Sequence, residues 1–225
     1  MAPESPKKIL IASFGISGDN LLPQTPHISF SRKLPRSFYA RPTLQVAKDL
    51  LGKYIVRKAG SSVLVGKIVE VEAYLGLTDP ASHAYRGRTK RNEVMFETPG
   101  HLYVYFTYGM HFCANIVTER RGTAGAVLIR GVEPLWGLRI MERNRKVRNQ
   151  GDVLLTLTNG PARFCEAFGI RREQNGTDLL GPAIYLTRGE RIPGSQIVRS
   201  TRIGIRSARD KKWRFSVRNN RWVSK

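Results

Sequence analysis

At 225 residues the chain has the length of one domain, with room for an appended tail. Its 38 Lys+Arg against 17 Asp+Glu leave a formal charge of +21, which opposes compaction and makes sense beside a polyanion. With 41% hydrophobic residues it can build a sizeable core, so a disordered basic protein is excluded; an anionic membrane surface and a ribosome-like assembly stay open as partners.

Residues 1–33 read as a leader or extension apart from a domain over 34–225. Lys7-Lys8 and the apolar run Ile9–Ile16 are weakly like a signal peptide, but Glu4 precedes them and no small-residue cleavage site follows before Asp19. An organelle transit peptide is the second reading, and an unstructured extension ranks first. No apolar stretch is long enough to span a bilayer.

The folded part starts near Leu34. Pro42 suits the first turn of a helix whose buried stripe is Leu44, Ala47, Leu50 and Leu51, and Gly52 stops it. Lys53–Lys58 and Val63–Tyr74 read as strands joined in a hairpin around Ala59–Ser62. Tyr103–Thr107 and His111–Val117 form a second hairpin around Tyr108-Gly109-Met110. Ala126–Val132 is a further strand, and Pro134 opens a helix with Leu135, Leu138 and Met141 on one side; Gly151-Asp152 breaks the region beyond. Asn159-Gly160-Pro161 starts a short helix closed by Gly169. Strands at Ile184–Thr187, Thr201–Ile205 and Arg214–Arg218 complete the chain. Hairpins with intervening helices, and no regular βαβ repeat, predict a single mixed α+β domain with a mainly antiparallel sheet. Cys113 and Cys165 sit in apolar segments and are expected as buried, reduced thiols. Four scattered histidines and no C-x-x-C give no ligand set, so no structural metal is expected.

The stretch Lys67–Tyr74 stands out. Alternation puts Val69, Val71 and Ala73 on one face and Glu70, Glu72 and Tyr74 on the other, as in a half-buried strand. Two acids on that face must meet water, partners or substrate. A solvated strand face is the plain alternative. His83, the basic turn Arg86–Asn92 and the aromatic strand His101–Tyr108 follow closely, as in a site for a flat ligand with an anionic backbone. Residues 199–225 carry ten Lys/Arg among Trp213, Phe215 and Trp222, which fits a basic sheet edge at least as well as base stacking.

Several motifs stand in one order: Val69–Gly76, His83, Arg91-Asn92, Met95-Phe96, Pro99-Gly100, Leu102–Tyr105, Tyr108–Met110 and Asn115-Ile116. Leu128–Arg130, Glu133-Pro134, Gly160-Pro161 and Arg202–Gly204 follow. In this the chain resembles the mammalian-type alkyladenine (3-methyladenine, methylpurine) DNA glycosylases, over roughly Leu34 to Ser224. The resemblance implies a single domain with a curved, mainly antiparallel sheet and surrounding helices. It also implies flipping of a damaged purine out of double-stranded DNA and hydrolytic excision, leaving an abasic site, with no cofactor. 3-Methyladenine is the implied lesion, with 7-methylguanine, hypoxanthine and ethenoadenine as further candidates.

By the same resemblance Glu72 is the general base, and Arg130 and the backbone carbonyl of Ile203 help hold the attacking water. Glu70 shares the face without matching the catalytic position, which makes it structural or charge-tuning. Tyr74 and His83 stack on one face of the flipped base and Tyr105 on the other; cationic alkylpurines suit these ring faces. Asn115 crowds the amino group of normal guanine. Tyr108 is the wedge that fills the gap left in the duplex, although His111 stands where mammalian members have Tyr. A monomer is implied, in the cytoplasm or nucleoid of a bacterium or the nucleus or an organelle of a eukaryote, and neither secreted nor membrane-bound.

An RNA- or ribosome-binding module would account for the charge but not for Glu72 beside Tyr74. A formyltransferase-like binding domain is a second rival. A nuclease would need a metal cluster that Glu70, Glu72 and Asp79 could supply only poorly.

Overall fold

A computed structural model of the chain describes residues 32–147 and 153–224. The expected leader lies outside the described residues but for Arg32 and Lys33, and so does the break expected at Gly151-Asp152. Eight strands join in one sheet with every pairing antiparallel: β1 (Tyr54–Ala59), β2 (Ser62–Tyr74), β3 (Leu102–Thr107), β4 (His111–Val117), β5 (Ala126–Trp136), β6 (Ile184–Thr187), β7 (Ile197–Ser200) and β8 (Arg214–Val217). The helices are α1 (Arg36–Tyr39), α2 (Thr43–Leu50), α3 (Leu138–Arg145), α4 (Val153–Thr156) and α5 (Pro161–Ala167). This is the mixed α+β architecture that the hairpin pattern predicts.

β2 is the spine of the sheet. β5 follows one of its edges from Val65 to Tyr74, whereas the other edge is shared: β1 pairs residues 62–67 and β8 pairs residues 70–72. Beyond β5 lie β4 and then β3; beyond β1 lies β6, and beyond β8 lies β7. The site is built where β2 passes from β1 to β8.

Alternation then decides which side chains share a face. Val71, Ala73, Leu102, Val104, Ala114, Ile116, Val127 and Ile129 point into the main core, where Val46 and Leu50 of α2, Phe164 of α5 and Phe168 at its C-terminal end cover them. On the opposite face Tyr103, Val117 and Ala126 pack against Ala84, Met95 and Phe96 from the segment between β2 and β3. The half-buried strand expected over Lys67–Tyr74 is therefore wrong in one respect. β2 is covered on both faces, and Glu70 and Glu72 are fully buried.

The helix after Pro42 forms as the sequence predicts, but Leu44 is only half-buried and Val46 takes the core position. Its first turn is satisfied from a distance: the Thr43 N–H and hydroxyl both donate to the Glu119 carboxylate, at 2.6 and 2.7 Å. Pro134 does not open a helix. β5 runs through it to Trp136, and the ladder shifts register between Val65 and Gly66, so the missing N–H falls at an irregularity. α3 starts only after Gly137, where φ is 81° and a Cβ would lie 2.7 Å from the Val63 carbonyl and 2.5 Å from Leu64. The strand expected at Thr201–Ile205 is displaced to Ile197–Ser200, and residues 201–205 form an irregular segment that bends at Ile203-Gly204. Cys113 and Cys165 are buried free thiols. Burial pushes the Cys113 thiol up to about 11. Among the described residues no helix is long and apolar enough to cross a membrane.

Candidate active site

One row of paired residues crosses the sheet: Tyr103 opposite Asn115, Asn115 opposite Leu128, Leu128 opposite Glu72, and Glu72 opposite Arg214. Directly paired residues project from the same face. The acid on β2, the amide on β4 and the aromatic on β3 thus share one surface. Tyr105 and Tyr74, each two residues along, join that face.

Glu72 is held at both oxygens. The Ile203 N–H donates to Oε1 at 2.8 Å, and Arg130 Nη1 lies 3.3 Å from the same oxygen. The Tyr74 hydroxyl donates to Oε2 at 2.8 Å. Arg130 reaches the acids because the β2–β5 ladder slips twice. Val69 and Arg130 are skipped in the register between the pairs Ile68–Val132 and Val71–Ile129, which re-aims the arginine. Burial raises the Tyr74 phenol above its ordinary value, and the adjacent Glu72 carboxylate raises it further, so the hydroxyl keeps its proton and remains a donor.

Arg202, one residue before Ile203, is the second clamp. Its guanidinium forks onto Asp79 at 2.5 and 2.9 Å and donates to the Ala73 carbonyl at 2.9 Å. It is stacked between Tyr74 and Trp213, 4.6 and 5.0 Å from their ring centroids. Glu70 accepts from Arg130 and Arg214. The three acids of the supposed nuclease cluster are thus each engaged by arginine.

The aromatic group adjoins the acid. His83 meets Tyr105 edge to face with centroids 4.5 Å apart, and its Nδ1 is 3.0 Å from the Tyr103 hydroxyl. Burial lowers the His83 pKa, and Arg91 lowers it further. Tyr103 is pushed up to about 12 by burial. The Tyr105 phenol is raised by burial first, then by Cys113 and by Tyr74. Because His83 and Tyr105 touch, a ring entering between them must part the two. Asn92 fixes the His83 loop: its amide takes the Thr89 N–H at 2.6 Å and donates to the carbonyls of His83 and Gly87. Asn115 is buried and donates to the Tyr103 carbonyl at 3.2 Å, which fixes its orientation.

Tyr108 stands apart from both groups, at the tip of the β3–β4 hairpin, 80% exposed with φ 51°. Met110 beside it is also exposed. A large aromatic left exposed in a positive-φ turn costs stability and does nothing for the core.

The structure therefore brings Glu72, Tyr74, Arg130 and Ile203 into direct contact, and His83 and Tyr105 into another group beside them. Sequence reasoning places Asn92, Tyr103 and Arg202 within motifs but gives none of them a site role, and it passes over Arg214 as a site residue. Strand alternation with Tyr105 could have found Tyr103. The arginines come from more than 120 residues away in sequence and give no local signal.

A family model described as methylpurine-DNA glycosylase matches residues 37–221. A protein of Carboxydothermus hydrogenoformans, provisionally named a 3-methyladenine DNA glycosylase, is 52% identical over 193 residues, covering 85% of this chain and 98% of that protein. Proteins provisionally given the same name from Chlorobium phaeovibrioides and Clostridium acetobutylicum are 50% and 44% identical, over 82% and 85% of the chain and 93% and 97% of their own lengths.

Proposed function

Since the chain belongs to the methylpurine-DNA glycosylase family, we propose that it excises alkylated purines, 3-methyladenine first, from double-stranded DNA and leaves an abasic site. The observation that carries this reading is the pairing of a buried, donor-held Glu72 with an adjoining wall of Tyr74, His83 and Tyr105. The +21 charge supplies phosphate affinity.

Breaking the N-glycosidic bond develops positive charge on the sugar. Glu72 stabilises that charge and takes a proton from the attacking water, while Arg130 and the Ile203 carbonyl orient it. The alkylated base is already a good leaving group, so no strong protein acid is required. Tyr74 and His83 on one side and Tyr105 on the other hold the flipped base, and Asn115 excludes normal guanine by crowding its amino group. Tyr108 fills the vacated step in the duplex and offsets part of the unstacking cost of a few kcal/mol. Water is the nucleophile. A Schiff-base route needs a desolvated amine, and Lys67, the nearest lysine on β2, is instead paired with Glu133 at 3.0 Å.

The test is release of free 3-methyladenine from methylated duplex in EDTA, with borohydride added in parallel. Base release without a trapped covalent complex and without nicking supports the reading. No release overturns the activity, and trapping overturns the water mechanism.

A further inference from the structure

We propose that Ser224 is a positioning residue of this site, acting through Glu70 and Arg130; the inference rests on the base-excision reading above. Every polar group of Ser224 is engaged. Its N–H donates to Glu70 Oε2 at 2.6 Å, and its hydroxyl donates to Glu70 Oε1 at 2.8 Å. The hydroxyl oxygen also accepts from Arg130 Nη2 at 3.2 Å, and the carbonyl accepts from Arg214 Nη2 at 3.0 Å. The residue is buried, and Gly131, next to Arg130, leaves the room its segment needs: a Cβ there would lie 2.6 Å from the Trp222 carbonyl.

The consequence lies in what Arg130 is prevented from doing. A guanidinium is a rigid planar fork, so fixing two of its nitrogens fixes the direction of the third. Nε is tied to Glu70 at 3.1 Å and Nη2 to Ser224, which leaves Nη1 as the single contact with Glu72, at 3.3 Å. Charge balance does not need the serine: Glu70 and Glu72 already face Arg130 and Arg214. Its hydroxyl supplies geometry. Without it Nη2 loses the hydroxyl that bridges it to Glu70, and Arg130 is free to tilt into a side-on fork on Glu70, already bonded to Nε, which draws Nη1 away from Glu72.

Single-turnover release of 3-methyladenine and affinity for an abasic-analogue duplex distinguish the outcomes. Ser224→Ala is expected to lower the rate about tenfold, the worth of one hydrogen bond to a charged group, with affinity held and the melting temperature lowered by no more than that bond accounts for. Ser224→Thr, which keeps the hydroxyl, restores most of the rate. In an Arg130→Ala background the Ser224→Ala change adds no more than about twofold, because the group it acts through is gone. An unchanged rate in Ser224→Ala overturns the proposal. So does a full additive loss without Arg130, or a loss matched by equal falls in affinity and melting temperature. If wild-type protein releases no base, it is the excision reading that fails, and the positioning role with it.

Discussion

The Tyr74 hydroxyl donates to Glu72 Oε2 at 2.8 Å, so a ring assigned to the flipped base is tied to the carboxylate assigned to water. Tyr74→Phe separates the two roles. It keeps the ring and removes the donor, leaving Glu72 with Ile203 and Arg130 on the other oxygen alone. A hydrogen bond to a charged group is worth about 1.5–3 kcal/mol, so excision should fall about ten- to a hundredfold while lesion binding is retained. Single-turnover kinetics beside a binding titration checks this.

Tyr108 is the opposite case, 80% exposed and without a side-chain hydrogen bond among the described residues. Tyr108→Gly should leave the melting temperature unchanged or slightly higher, because glycine relieves the φ of 51°. Excision from duplex should fall severalfold while excision from a single-stranded lesion stays the same. Equal losses on both substrates would remove the wedge role.

Arg202→Leu breaks the buried pair with Asp79 and uncovers one face of Tyr74. Leaving a buried carboxylate without its partner costs about 3–5 kcal/mol, so thermal or urea unfolding should show a loss of that size. A change below about 1 kcal/mol would mean the pair is not the clamp described here.

His83 gives a pH signature. Its folded pKa is lowered by burial and by Arg91 relative to the ordinary 6.5. Between those two values the unfolded chain carries the extra proton. The stability linked to His83 is therefore full above about 6.5 and lost as pH falls through the folded value. The melting temperature of wild type relative to His83→Gln should be flat at neutral pH and decline on acidification. A flat difference down to about pH 5 would contradict the buried, neutral assignment.

Much of this was legible in the sequence, and the rest was not for definable reasons. Alternation in β2 and in the β3–β4 hairpin is local, so it located Glu72, Tyr74, Tyr105 and Tyr108 correctly on their elements. Full burial of Glu70 and Glu72 was not legible, because the groups that make it tolerable arrive from Arg130, Arg214, Ser224 and Ile203. Pro134 misled because a proline normally ends a strand, and the register slip beside Gly66 that admits it is a tertiary feature. The bend at residues 201–205 carries strand-like residues, yet its backbone is used to present Ile203 to Glu72.

The account stands most directly on Glu72. With methylated duplex in excess EDTA, Glu72→Gln keeps the side-chain size and its acceptor oxygen but cannot take a proton. The single-turnover release of 3-methyladenine should drop by at least about a hundredfold, while affinity for the same duplex stays close to wild type. Comparable release rates in the two proteins would contradict the assignment and move the base to another residue, with Glu70 the first to be tried.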